Sequence, residues 1–589
     1  MRRFAGIIVA MWCTTVLADD IHITPDSSLT DAVRHARELR RTNKAKAVTI
    51  HMAPGTYQIY EPVTLRPEDS GLNIIADEGA TISGGIEITG WEKQGKLWVA
   101  DVPDFNGRPI DFRQLWVNGR KAIRARSVVD FEKMERILTY DKKNQTLWIP
   151  RTAVAPLLQG NKMKTGNEYL EMVLHEMWCV ANLRIKSLTP VGDSVAVRFH
   201  DPESKIQFEH PWPSPMTPNT GHSSPFYLTN SKDLLDEPGE WYHDIRGHKL
   251  FYMPRNGEKT TDRFVVPVLE TVVQFIGTGE HPVKNINFKG VTFEYTTWLR
   301  PSEKGHVPLQ AGMYLTEAYK LRPSIDRPNN HKLDNQGWLG RASAAIILSH
   351  TENINFSNCK FCHTGGSGLD YVIGCKGGTV TGCTFSDIAM NGIVIGSFSP
   401  EGLETHLPYA PTDFRDVCRN QTIENSEFYD VTNEDWGCVA IAAGYVADIC
   451  IEHNTIHNVS YSGISLGWGW NRDLICMKNN KVHANLIYNY AQHMYDCAGI
   501  YTLGNQPGTI ISENVVRDIA KPSYVHDPNH WFYLYTDEGS SNITIIDNWT
   551  PSEKYLQNAN GPGNVWKNNG PQVSEEIKAA AGIYKYQKK

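Results

Sequence analysis

One recurring segment restricts this chain to very few folds. It appears as Asn285-Ile-Asn-Phe-Lys-Gly-Val-Thr-Phe293, Ile354-Asn-Phe-Ser-Asn-Cys-Lys-Phe361, Val380-Thr-Gly-Cys-Thr-Phe385 and Ile423-Glu-Asn-Ser-Glu-Phe428. It returns as Ile451-Glu-His-Asn-Thr-Ile456, Val482-His-Ala-Asn-Leu-Ile487 and Ile511-Ser-Glu-Asn-Val-Val516. From Phe361 onward the closing apolar positions are 24, 43, 28, 31 and 29 residues apart, and the long step holds a loop from Ser397 to Arg419. No helical period fits between copies, so each repeat is strand and turn. Self-similarity at this spacing predicts an all-β protein, a right-handed parallel β-helix whose coils stack to share one core.

The register has an internal check. Two positions before the closing apolar residues stand Cys359, Cys383, Ser426, Asn454, Asn485 and Asn514, and Asn548 continues the series. Amide side chains both donate and accept, so stacked asparagines satisfy backbone groups left open by a bend. A second strand also recurs, at 392–395, 438–441, 463–466, 499–502 and 533–536. Its residues should point alternately to core and solvent.

The chain divides around this repeat. Residues 1–18 read as a signal peptide: Met1-Arg-Arg3, an apolar run, then Val16-Leu-Ala18. Residues 19–100 predict a cap helix, begun at Ser28-Leu-Thr-Asp31 with Leu29, Ala32, Val33, Ala36 and Leu39 on one face, followed by the first coils. Residues 101–280 change character, with strands such as Val195-Ala-Val-Arg-Phe199 among Pro-rich loops, and predict an inserted β-rich domain. The parallel β-helix with the candidate site is assigned to 281–550, and a short helical C-terminal cap from Ser574 to 551–589.

Several functions are disfavoured. No later run of about 18 apolar residues exists, so no membrane span is expected. The protein is expected to be secreted or periplasmic. A net charge of −7 gives no reason to expect a nucleic-acid partner. Ten cysteines remain beyond residue 18, without paired metal-ligand spacing; Cys359 and Cys362 have no second pair. No metal and no cofactor are expected.

The chemistry is expected on the last coils. Asp496 and Asp537 lie 41 positions apart, on neighbouring coils of the second strand. Adjacent strands are about 4.8 Å apart, so two such carboxyls suit acid–base or nucleophilic cleavage of a glycosidic bond. Trp468, Trp470, Tyr501 and Tyr535 are candidate sugar-binding aromatics, and His493 is a candidate for positioning Asp496. Glu538 adds a carboxyl that strand alternation turns away from Asp537. Glu434, Asp435 and Asp370, on earlier coils, are candidates for the same substrate-binding wall.

The segments Gly463-Ile-Ser-Leu-Gly-Trp-Gly-Trp470, Asp496-Cys-Ala-Gly-Ile-Tyr-Thr-Leu-Gly-Asn-Gln-Pro-Gly-Thr509 and Tyr535-Thr-Asp-Glu-Gly-Ser-Ser541 resemble glycoside hydrolase family 141. The resemblance is strongest over 280–550. It implies a bacterial β-helix enzyme whose relatives include α-L-fucosidases acting on pectic side chains and a xylanase. It further implies a polysaccharide or oligosaccharide substrate, with Asp496 and Asp537 as the acidic pair. It fixes neither the sugar nor which aspartate is the acid. The oligomeric state is open. A polysaccharide lyase would want a basic proton abstractor and commonly Ca²⁺; here Arg472 is the nearest basic residue. A non-catalytic glycan-binding β-helix would need the aromatics but no matched carboxyls.

Overall fold

The computed structural model describes residues 19–42, 47–210, 212–218, 222–317, 337–399 and 404–584, so the expected signal peptide lies outside the described residues. Three parallel sheets of 12, 10 and 9 strands run the length of the molecule, one strand of each per coil. The architecture is a parallel β-helix. Its register is the one the repeat predicts: Ile423, Ile451, Val482, Ile511 and Ile545 stack in the 12-stranded sheet. Phe361, Phe385, Phe428, Ile456, Ile487 and Val516 stack in the 9-stranded one. Each of these residues is buried, so one continuous apolar column forms the core. Within it the rings of Phe361, Phe385 and Phe428 lie nearly parallel, with centroids 4.4 and 4.6 Å apart.

At the turn between the two sheets, each side chain of the ladder takes the backbone N–H of the coil before it. The Cys359 N–H meets the Cys383 Sγ at 3.4 Å, and the Cys383 N–H donates to the Ser426 Oγ at 3.1 Å. The N–H groups of Ser426, Asn454, Asn485, Asn514 and Asn548 then donate to the Oδ1 of Asn454, Asn485, Asn514, Asn548 and Asn569, all between 2.9 and 3.2 Å. The cap helix Leu29–Thr42 buries Leu29, Ala32, Val33 and Ala36 over the first coils. The C-terminal helix Glu575–Ala580 begins at Ser574, whose hydroxyl accepts from the Ile577 N–H, but it buries no residue. Among the described residues no helix is long and apolar enough to cross a membrane.

Two excursions leave the coil. The larger begins after Gly85–Ile88, which pairs antiparallel with Phe264–Pro267, and the coil resumes at Val273–Ile276. This body is built of a 4-stranded sheet that includes those two strands, a mixed 5-stranded sheet and an antiparallel 7-stranded one. Arg184 belongs to this body and is tied to Glu203 at 2.7 Å, a structural pair. A smaller excursion interrupts the stretch that the sequence reads as uninterrupted helix. The helix Arg300–Lys304 and the strands Pro308–Gln310, Met313–Leu315 and Leu339–Gly340 lie between consecutive coils. It clips onto the larger excursion by reciprocal bonds between Asn182 and His306, 2.9 and 2.8 Å long. The two together wall one side of the β-helix.

Candidate active site

Asp496 stands just before Cys497–Thr502 and Asp537 just after Trp531–Thr536, neighbouring strands of the 10-stranded sheet. The Asp496 N–H donates to the His530 carbonyl and the Asp537 N–H to the Thr502 carbonyl. The two aspartates are therefore on adjacent coils but at opposite ends of the shared strand, not one above the other. Between them the ladder skips the level of Gly499 and Tyr533. The side chain of Tyr535 lies near both ends, and after burial the charges of Asp496 and Asp537 raise its pKa.

The two carboxyls have different surroundings. Asp537 accepts from the Tyr501 hydroxyl at 2.5 Å and from the Asn558 amide at 2.7 Å. Burial pushes its pKa above the ordinary carboxyl value, and the charge of Asp496 adds to the rise, against the lowering from Tyr501 and Asn558. Asp496 lies 3.1 Å from the His530 Nε2, and its charge is what raises the His530 pKa. The Tyr461 hydroxyl holds the Asp496 carbonyl at 2.8 Å. Three tyrosines (Tyr461, Tyr501 and Tyr535) thus wrap the pair, and burial beside these carboxylates raises the pKa of every one. Burial thus favours the protonated form at Asp537, while Asp496 faces an imidazole, so the two carboxyls have unlike environments.

The other expected residues divide. Tyr501 and Tyr535 do join the pair, but both are buried, so they offer hydroxyls and ring edges, not open stacking faces. Trp468 is corrected: it is fully buried, donates its indole N–H to Thr405 and packs edge-on against Phe398. Trp470 is half-buried beside it, its ring tilted against that of His406 with centroids 4.7 Å apart, and the His406 Nδ1 is 2.5 Å from Glu404. Glu538 is exposed; burial of its carboxyl and the charge of Asp537 raise its pKa, while His406 lowers it. His493 is corrected too. Its ring stacks on Trp436 at 4.4 Å, its Nδ1 meets the Tyr524 hydroxyl, and burial drops its pKa to about 3. The histidine at Asp496 is His530. Stacking Cys497 over Trp531 puts the residue before each side by side, a signal present in the sequence.

Asp370 lies four strands before Cys497–Thr502 in the same sheet, buried and paired with Arg341 at 2.5 Å. It belongs to a different site. Burial still leaves its pKa raised, to about 6, against the pull of Arg341. Glu434 and Asp435 line a cavity of about 350 Å³ between the larger excursion and the β-helix, not the Asp496–Asp537 coil. Glu434 is held by Lys121 at 3.0 Å and Asp435 by His306 at 2.9 Å. Trp436 lines that cavity and its ring stacks on His493, on the coil segment that leads to Asp496. The excursion also grips the loop that carries His530: Arg136 donates to the Tyr524 carbonyl at 2.7 Å, and His526 meets the His222 carbonyl at 2.8 Å. Among the described residues, Glu294, Cys362 and His363 bring ligand-type atoms within 4.8 Å of one another, and the His363 Nδ1 is 2.7 Å from Asp387.

Comparison with known proteins agrees with this picture. The GH141 insertion domain matches residues 95–255, the body of the larger excursion. A solved structure described as a glycoside hydrolase is 58% identical, with a TM-score of 0.93, and the alignment covers 96% of this chain and 99% of that one. The complex of XylC with xylose is similar at 11% identity and a TM-score of 0.44, over 91% of this chain and 70% of that one. The A-module of the Azotobacter vinelandii mannuronan C-5 epimerase AlgE4 is similar at 8% identity and a TM-score of 0.32, over 95% and 98%. No curated protein matches the chain. A parallel β-helix carrying this insertion, with a relative so close over its whole length, is a glycoside hydrolase. The chain belongs to glycoside hydrolase family 141.

Proposed function

We propose that this glycoside hydrolase uses Asp537 as general acid and Asp496 as its partner carboxylate, and that it releases α-L-fucose from pectic side chains outside the cytoplasm. The observation that carries the residue roles is the raised pKa of Asp537, caused by burial beside the negative charge of Asp496. A proton retained there is available to the departing glycosidic oxygen. Asp496, oriented by His530, acts on the anomeric carbon directly or through a water. Tyr535, close to both carboxyls, senses the charge that moves between them. Trp470 and His406, beside Glu538, offer the open aromatic face for a sugar ring. Support for the sugar is the likeness of residues 463–470, 496–509 and 535–541 to a family whose members include α-L-fucosidases as well as a xylanase.

The test is a screen of aryl α-L-fucoside, xyloside and arabinoside with plant cell-wall polysaccharides, run on the natural chain and on Asp496→Asn and Asp537→Asn. Fucose release abolished in both variants, with folding intact, is the expected result. Turnover of xylan alone would replace the fucosidase assignment. Full activity in either variant would remove the pair from the mechanism.

A further inference from the structure

The cavity between the larger excursion and the β-helix holds an arginine that the rest of the molecule leaves unused. Arg126 lines the cavity, and its guanidinium makes no hydrogen bond or ion pair among the described residues. Its Nε is enclosed and unpartnered. The guanidinium lies over the Phe131 ring at 4.5 Å and near that of Tyr227 at 6.0 Å. The neighbouring acid, Glu240, accepts from the backbone N–H groups of Arg126, Asp236 and Glu237, and burial raises its pKa to about 7. Its charge is thus a poor counterweight to the guanidinium. Burying an unpaired cation costs several kcal/mol, so a fold that keeps one facing a cavity is short of an anion.

The surroundings narrow what that anion is. Arg113 and Arg124 share a single counter-charge, Glu171, at 2.9 and 2.8 Å, and the Arg124 Nε is also unpartnered. The buried His306, bonded to Asp435 through Nε2, leaves its Nδ1 without a partner. This end of the cavity is rich in fork-shaped donors that fit a carboxylate with two bonds. The remaining wall carries Asp387, Asp430, Glu434 and Asp435. Those carboxylates repel a doubly charged phosphate but accept readily from hydroxyls. Trp298 and Trp436 add apolar faces for ring C–H groups. A volume of about 350 Å³ suits one or two sugar units.

We infer that this cavity is a binding site for an acidic sugar unit, its carboxylate held by Arg126 and its hydroxyls by the acidic wall. The inference rests on the chain acting on glycans, but not on Asp496 and Asp537 being the catalytic pair. The site would seat an acidic branch of the substrate beside Trp436 while the bond is cut elsewhere.

The experiment is calorimetric titration of the full chain with D-galacturonate and D-glucuronate, against D-galactose, D-glucose and acetate. The set is repeated on Arg126→Met, Arg126→Lys and Asp537→Asn. Uronate is expected to bind at least about tenfold more tightly than the neutral sugars or acetate. Arg126→Met should lose at least about tenfold, with Arg126→Lys in between because a point charge replaces the fork. Asp537→Asn should bind as the natural chain does while losing turnover. Retained turnover in that variant would overturn the catalytic pair and leave this site standing. Equal binding of neutral sugars, acetate as tight as uronate, no uronate binding, or an unchanged affinity in a folded Arg126→Met would each overturn the inference. Should Arg126→Met fail to fold, Arg126→Lys and the sugar-against-acetate comparison decide by the same criteria.

Discussion

Carboxylates occur in two settings in this molecule, and the contrast bears on the chemistry proposed for them. At the excursion interface four of them sit against basic side chains. Glu171 has Arg113 and Arg124, Asp387 has Lys121 and His363, Glu434 has Lys121, and Asp435 has His306. On the last coils Asp537 is held only by a phenol and an amide, with no cation in ion-pair reach among the described residues. Burial acts on both groups in the same direction, upward in pKa. For Glu171 the two arginines overcome it and leave a pKa of about 2; for Asp537 nothing does, and the pKa stays raised. On the proposed mechanism the first kind of site fixes structure and the second supplies the acid.

The largest effect expected from this contrast is on rate. Asp537→Asn should lower kcat by about 10²–10⁴-fold with little change in thermal midpoint, whereas Glu434→Gln should keep most of the activity. Aryl-glycoside kinetics beside thermal melts on both variants check it. An inactive but well-folded Glu434→Gln would move the chemistry to the interface and erase the distinction.

On stability the ranking reverses. Glu171→Gln strands Arg113 and Arg124 with no counter-charge, and should cost about 3–5 kcal/mol in urea unfolding. The pH dependence of the same group follows. Its folded pKa, about 2, lies below its ordinary value of 4.5, so its contribution is complete above 4.5 and is lost as pH falls toward 2. Five residues on, Glu176 has no cation, and burial lifts it to about 8. Its sign is opposite: the folded state binds the proton more tightly, so stability falls as pH rises from 4.5 to about 8. Unfolding midpoints of the natural chain and of Glu176→Gln across pH 5–8 should therefore diverge, the variant losing the alkaline decline.

The asparagine ladder is a smaller and purely structural term. Asn485→Ala removes the acceptor for the Asn454 N–H and the donor to the Ile451 carbonyl, both buried. The expected cost is about 1–3 kcal/mol, read by urea unfolding, with kcat on aryl glycosides unchanged in the folded protein.

The coil was readable because its constraint is local and repeats. A strand of period two and a bend with an amide every coil imprint the same residues at each level, from Phe361 to Val516 and from Cys359 to Asn548. The position of Asp496 and Asp537 was equally readable, since register follows from the repeat. What failed was orientation at the edges. Trp468 and His493 sit where the coil gives way to loops, and the sequence there carries no period to say that Trp468 turns inward to Thr405 or that His493 turns to Trp436. The basic partners of Glu434, Asp435 and Asp370 come from residues 313, 129 and 29 positions away along the chain, at Lys121, His306 and Arg341. No local pattern encodes such a pairing. The excursion from residue 298 to 343 was missed because it displaces the chain between two ordinary coils without disturbing the repeat on either side.

The finest adjustment of the contrast lies in a single oxygen. Tyr501 donates to Asp537, and a donor bound to a carboxylate favours its ionised form, so this bond works against the burial that keeps Asp537 protonated. Tyr501→Phe removes the donor and retains the ring. The pKa of Asp537 should rise further. The acid form of Asp537 then persists to higher pH, and the alkaline limb of kcat/KM shifts upward, with a modest loss of rate at the optimum because a stronger hold on the proton slows its transfer. A donor bond lost from a merely structural tyrosine would lower stability and leave the pH profile in place. A limb that stays put in Tyr501→Phe, or moves to lower pH, would mean that Asp537 is not the group whose proton the reaction spends.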